Sequence, residues 1–338
     1  MGMAARAGRS VGLVGVLSWG LLLLVVSGVA GVLLGSDDAT LGRALVTDGL
    51  DRTILFGLRL PRVLLAIVAG GGLAVVGAAF QAMLRNPLAE PYVLGVSGGA
   101  ALGATIAIAL GAQAVGLLAA AVVPAAALVG GIAATFLVYV IAQRVPRGPS
   151  GASILLAGVI VNSIAAALIT FGKLLVSPSR AQSMLRWLVG FVELTTTPSL
   201  IVVAVVVVVG SAVLVADAGR MNLLALGDES AASLGVDVRV LERRVFVAAS
   251  CVVGAVVSVT GLIGFVGLIV PHAVRRLIGP DHRRLLPASF LGGAALLVLC
   301  DLGTRLLFRA FGTKLPVGAV TALIGGPTFL YMLARGSK

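Results

Sequence analysis

The sequence predicts an all-α, polytopic membrane protein with about ten transmembrane helices in one bundle, and three observations carry that prediction. Of its 338 residues, 59% are hydrophobic and 11% charged, with a mean hydropathy of +1.14; a soluble domain carries roughly 25% charged residues. Uncharged runs such as 11–35 and 200–216 recur along the chain, and about 20 apolar residues in a helix cross the hydrocarbon core. A bilayer also forces every backbone N–H and C=O to pair internally, which favours helices even over the Val-rich run 202–209. Residues 1–338 read as a single transmembrane domain.

The elements follow from hydropathy and its interruptions. The first helix, 11–34, is longer than the roughly 7–15-residue apolar core of a signal peptide and reads as retained. The second, 56–84, has Pro61 favouring a start. It ends near Arg85, because Pro87 and Pro91 lack N–H donors and disfavour helix in the residues before them. The third, 94–111, opens in a glycine-rich stretch with Ser97 placed as a cap. Helices at 114–143 and 152–176 follow, then a short one near 180–190 whose polar start is unfit to span. The sixth, 198–216, leads to the longest polar stretch on the inner side, 224–244. There Asp228 can cap one short helix, Gly235 end it, and Asp237 start the next. The remaining crossings lie at 240–260, 262–278, 285–309 and 316–334.

Placing the N-terminus in the cytoplasm puts most of the 25 Lys and Arg residues in inner segments, including Arg6, Arg9, Arg144, Arg147, Arg243, Arg244, Arg275, Arg276 and Lys338. The C-terminus is then cytoplasmic too. Arg59, Arg62, Arg305, Arg309 and Lys314 fall outside, either snorkelling at headgroups or meeting an acidic partner. Many of the 45 glycines lie within helices, among them Gly70, Gly77 and Gly293, where small residues allow close packing in lipid. Cys251 and Cys300 have no CxxC spacing, so neither a metal site nor a disulfide is expected, and no cofactor. His272 and His282 lack a ligand partner at metal-binding spacing and read as interfacial. Asn162 and Gln81, inside crossings, either bond across helices or face a passage. Asp301 and Glu193 are the few acids at apolar runs; an ion-driven secondary carrier, the alternative from another class, strings several acids or histidines through its core. No paired catalytic constellation marks an intramembrane enzyme. The dispersed basic residues exclude nucleic-acid binding. No GxxxxGK(S/T) occurs; Gly172-Lys173 is followed by Leu, so ATP hydrolysis by that route is excluded.

The stretch "LRLPRVLLAIVAGGGLAVVGAAFQAMLRNPLAEPYVLGVSGGAALGA" (58–104) resembles the permease subunits of type II ABC importers for iron–siderophore, haem and cobalamin. So do "ILLAGVIVNS" (154–163), "MNLLALGDESAASLGVDV" (221–238), "GLIGFVGLIVPHAVRRLIGPDHRRLLPAS" (261–289) and "LPVGAVTALIGGPTFLYML" (315–333). The resemblance implies a ten-helix subunit of the bacterial cytoplasmic (inner) membrane, forming a homodimer or pairing with a close paralogue. Its other partners would be cytoplasmic ABC ATPase subunits, an extracytoplasmic binding protein and membrane lipid. It further implies a cytoplasmic gate at Asn86, Pro87 and Leu88, with a second element around Ser150, Gly151 and Ala152. ATPase coupling falls to Gly227, Asp228, Glu229, Ser230, Ala231, Ala232, Ser233, Leu234, Gly235 and Val236. Arg59, Arg62 and Arg305 would dock the binding protein, with an internal pair to Asp301 as the competing reading. The cargo would be a bulky metal chelate, iron–siderophore first, haem or cobalamin behind it; sparse aromatics and small residues suit a wide, weakly interacting passage.

Overall fold

The computed structural model describes residues 13–36, 39–46, 49–112, 116–144, 151–193 and 196–336, and among them there is no strand. The helices in order are α1 Leu13–Leu33, α2 Leu41–Val46, α3 Leu50–Met83, α4 Val96–Ala109, α5 Gly116–Gln143, α6 Gly151–Leu174 and α7 Pro178–Val189. They continue with α8 Thr197–Ala216, α9 Ala218–Leu224, α10 Asp228–Ser233, α11 Val238–Thr260, α12 Val266–Ile278, α13 His282–Phe311 and α14 Val317–Gly336. Arg6, Arg9, Arg147, Ser150 and Lys338 lie outside the described residues.

Six helices among the described residues are long and apolar enough to cross a membrane: α1, α3, α5, α6, α8 and α13. Helices also stand at the other four predicted crossings, as α4, α11, α12 and α14, but α4 and α12 are only 14 and 13 residues long. At about 1.5 Å per residue, α4 is some 9 Å shorter than a hydrocarbon core of about 30 Å. The short helix expected near 180–190 is α7.

The core is built around α3, whose residues 69–83 are all buried. Glycines bring its neighbours close. A β-carbon on Gly70 would strike the Gly293 carbonyl of α13, and one on Gly77 would strike the Gly267 carbonyl of α12. The perimeter is apolar instead: α1 exposes Leu21, Leu22, Val25, Val26 and Val29, and α8 exposes Val202, Val205, Val208 and Val209. Such an inside-and-outside apolar helix set belongs in lipid.

One predicted start is corrected. The second helix begins at Leu50, not near 56, while Pro61 stands in the first turn of its α-helical part, Leu60–Met83, as expected. The turns before Pro61, Thr53–Arg59, are π-helical, and Leu60 N–H bonds to Leu55 O five residues back. The wider turn accommodates a residue that has no N–H and whose ring crowds the carbonyl four positions earlier.

Candidate functional site

α3 stops in a Schellman arrangement: Asn86 N–H reaches Gln81 O and Arg85 N–H reaches Ala82 O, both at 3.2 Å. Arg85 takes the left-handed position, φ +47°, that glycine ordinarily fills. Pro87 cannot continue the helix, and Asn86 folds the chain over itself. Its side-chain oxygen accepts from Leu88 N–H at 2.9 Å and its carbonyl from Ala89 N–H at 3.0 Å. The result is a compact turn that leaves Leu88 47% exposed. A 3-10 turn, Pro91–Leu94, and Gly95 at φ +88° then lead into α4.

Irregular backbone inside an apolar bundle must find partners, and here side chains supply them. Asn162 of α6 donates from Nδ2 to Tyr92 O at 2.9 Å and accepts Gly98 N–H at 3.0 Å. Glu90 accepts Phe265 N–H at 2.7 Å, and the Tyr92 hydroxyl accepts Ile263 N–H at 3.1 Å. Phe265, at φ +68°, is the left-handed residue before α12. The 85–95 break and the 261–265 stretch therefore bind each other. Ser97 is not the helix cap expected: Gly95 holds that position, and Ser97 Oγ donates back to Tyr92 O at 2.9 Å. Gln81 bonds across helices as expected, donating to Leu268 O at 3.2 Å and accepting from Arg275 at 3.0 Å.

The Arg85 side chain links this turn to the polar stretch 217–237. Its Nε donates to Leu224 O at 3.0 Å, and its Nη2 pairs with the Asp228 carboxylate. Asp228 thus does not cap α10; Gly227, at φ +110°, stands at the cap without a side-chain bond. The other two expectations hold. Gly235, at φ +85°, closes α10 with Val236 N–H on Ala231 O and its own N–H on Ala232 O, both 3.0 Å. Asp237 caps α11 by accepting Val240 N–H at 3.0 Å. Ala231 and Val236 turn inward, while Glu229, Ser230, Ala232, Ser233 and Leu234 face out. Leu226 and Leu234 are 63% and 57% exposed, two apolar knobs on an otherwise polar surface.

Two further polar links fasten α9 and α10. Fully buried Asp217 pairs with Arg220 and, at 3.3 Å, with Arg244 of α11. Asn222 Nδ2 donates to Asp281 at 2.6 Å, and its oxygen accepts His282 N–H at 2.9 Å and lies 2.7 Å from His282 Nδ1. The Asn222 amide, followed by Arg283 N–H, holds the Asp281 carboxyl below the usual carboxylate range. Among the described residues no group of three His, Cys, Asp or Glu could hold a metal.

At the opposite end, Arg62 grips Asp301 with two nitrogens, at 2.7 and 2.9 Å, and Arg305 Nε lies 3.1 Å from the same carboxylate. Arg59 donates to the carbonyls of Val32 and Leu33 at 3.2 and 2.8 Å. The three arginines expected to dock a partner line a cavity of about 240 Å³ with Glu193 and Lys314, but Arg59 and Arg305 are 5% and 8% exposed. A second cavity, about 520 Å³, opens between α4 and α6 beside Tyr92, Ser97, Gly98, Asn162 and Ser163. Gly151 begins α6, apart from the other three gate residues in sequence. Sequence reasoning did not single out Arg85, Glu90, Tyr92 or Asp217 as site residues; the acid and arginine flanking the proline pair in an otherwise uncharged run were the available signal.

The model of the FecCD transport family matches residues 16–335. The chain belongs to that family. It is 45% identical over 283 residues to the cobalamin import permease BtuC of Halobacterium salinarum, covering 83% of this chain and 73% of that one. It is 38% identical over 282 residues to the hemin permease HmuU of Yersinia pestis, covering 83% of each. A solved inward-facing ABC transporter of metal-chelate type superposes with a TM-score of 0.83 at 29% identity, over 96% of this chain and 99% of that one. The FecCD chain is thus a permease of a type II ABC importer for metal chelates in the inner membrane. It is a transport component, not an enzyme, and ATP hydrolysis lies in a separate subunit.

Proposed function

We propose that this permease, with both termini cytoplasmic, pairs as a single transmembrane unit with a second copy or a close paralogue to form a passage for a macrocyclic metal chelate of the cobalamin and haem kind. The named relatives at 45% and 38% identity support that class over the iron–siderophore expected first. The wall of the passage is the α4–α6 face, with its 520 Å³ recess, small residues and few polar groups. Asn86, Pro87 and Leu88 gate it from the cytoplasm, with Gly151 at the start of α6 as the second element. The outward face of Gly227–Val236, flanked by Leu226 and Leu234, receives the ATPase.

The observation that carries this reading is the Arg85 bridge, which ties the gate turn directly to α9 and α10. Movement of the coupling helices by the ATPase is delivered to residues 85–88 without an intermediary. On the outer side, Arg62 and Lys314 are the charges a binding protein's carboxylates reach, with Arg59 and Arg305 strengthening the field from behind.

The test is uptake into proteoliposomes holding permease and ATPase, with binding protein loaded in turn with cobalamin, haem and a ferric siderophore. Vanadate abolishes uptake and an uncoupler does not, and the macrocycles are carried. Uptake driven by an ion gradient without the ATPase refutes the reading, and transport of the siderophore alone refutes the substrate class.

A further inference from the structure

On the face made by α5, α8 and α11, two apolar grooves run side by side and share one wall. The first, about 520 Å³, lies between α8 and α11, lined by Val205, Val209 and Val213 with Arg243, Arg244 and Cys251. The second, about 190 Å³, lies between α5 and α11, lined by Ile132, Phe136 and Tyr139 with Arg243, Val247 and Cys251. The shared wall is the ridge Arg243, Val247, Cys251, one residue per turn of α11. Eight steps of about 1.5 Å from Arg243 to Cys251 make it about 12 Å long, close to the roughly 15 Å of one leaflet's hydrocarbon.

Charge at one end of the ridge selects the occupant. Arg243 is exposed and forms no ion pair among the described residues. Arg239 stands one turn before it, also exposed, and Arg244 and Arg220 share the single buried carboxylate of Asp217. Asp237 caps the start of α11, Glu242 lies toward Asp228 and Arg85, and Asp217 is taken up by Arg220 and Arg244, so Arg243 is the guanidinium that meets both grooves without an ion pair among the described residues. A basic end above paired apolar grooves matches a molecule with one anionic head and two hydrocarbon chains.

We propose that this face binds one two-chain anionic phospholipid, its phosphate on Arg243 and Arg239 and its acyl chains lying on either side of Val247 and Cys251. The site is independent of the passage wall on α4 and α6, and its occupant holds α5, α8 and α11 together from outside at the end where α11 meets the coupling helices.

The protein is exchanged into nanodiscs of equal phosphatidylglycerol and phosphatidylcholine, released into mild detergent, and its retained lipid is weighed by native mass spectrometry. Phosphatidylglycerol is retained over phosphatidylcholine, and Arg243→Gln lowers that retention about fivefold, the factor expected for one surface guanidinium. Val209→Trp, at a 57% exposed groove position, fills the wider groove and removes retention of either lipid while Arg243 is intact. Unchanged elution and a retained cooperative melting transition in both variants confirm that they fold. Equal retention of the two lipids by the unmodified protein overturns the proposal, as does unaltered retention in Arg243→Gln. Oxidative cross-linking of Cys251 to Cys251 between copies also overturns it, because a second copy would then cover this face.

Discussion

Removing the Arg85 side chain separates the gate turn from the coupling helices while leaving both in place. The guanidinium is 40% and the Asp228 side chain 63% exposed, so solvent screens the pair to about 0.2–1 kcal/mol. The bond from Nε to the Leu224 carbonyl adds about 1 kcal/mol. Together they favour the linked arrangement by about 1–2 kcal/mol, roughly a five- to thirtyfold ratio. Arg85→Ala loses both contacts, and Asp228→Ala loses only the ion pair, about 1.4- to fivefold. Arg85 also sits at φ +47°, a conformation that costs a non-glycine residue about 1 kcal/mol. Arg85→Gly therefore deletes the same contacts as the alanine variant but relieves the backbone. In reconstituted complexes, both Arg85 variants carry less substrate per ATP hydrolysed, by the same factor, and the glycine variant melts higher than the alanine one. Wild-type uptake per ATP in Arg85→Ala would refute transmission through this bridge. Additive effects of Arg85→Ala and Asp228→Ala in the double variant would show that the two side chains do not act as a pair.

Three further outcomes are expected. Gly77→Ala drives a methyl into the Gly267 carbonyl and lowers stability by about 1–3 kcal/mol, whereas Gly303→Ala, with open space around it, raises it by about 0.5–1 kcal/mol; melting in detergent reads both. Asp301→Ala leaves the Arg62 and Arg305 guanidiniums without their shared carboxylate, which is 1% exposed, and costs about 3–5 kcal/mol; recovery of melting in the Arg62→Met, Asp301→Leu, Arg305→Met triple variant confirms that the cost is unpaired charge. Because the Asp281 carboxyl is depressed in the folded protein, it contributes stability above the ordinary carboxylate value of 3.8 and loses it as pH falls below that value through the folded one. Asp281→Asn flattens the acid limb of the melting curve in that window, by a modest amount since the side chain is 41% exposed.

The helical framework was legible because hydropathy and proline speak locally: Pro87 and Pro91 place the end of α3 within a residue or two, and Gly235 and Asp237 bracket α10 and α11 as their backbone chemistry requires. The start of α3 differs because the π-helical turns Thr53–Arg59, which extend the helix ahead of Pro61, carry no sequence mark. Ser97 and Asp228 read as caps by proximity, yet Ser97 bonds back to Tyr92 O, five residues earlier in the 3-10 turn, and Asp228 pairs with Arg85, far away in the chain. The same holds for the candidate site. Its loops could be read from glycine and proline, but the bonds that join them span large separations: Arg85 to Asp228, Glu90 to Phe265, Asn222 to Asp281. Arg62 and Arg305 meet on Asp301, the internal pair that the sequence offered as the competing reading, and they meet there because α3 packs against α13.

The brevity of α4 bears on how the chain enters its membrane. Fourteen residues preceded by a 3-10 turn and a left-handed glycine make a poor stop for a translocating ribosome product, and the bonds of the Glu90 carboxylate and the Tyr92 hydroxyl to Phe265 and Ile263 cannot form until those residues have been synthesised. α4 therefore inserts as a hairpin with α5. Its preceding turn stays hydrated until the C-terminal half arrives, and truncation before residue 261 should yield a nascent chain that cellular quality control destroys.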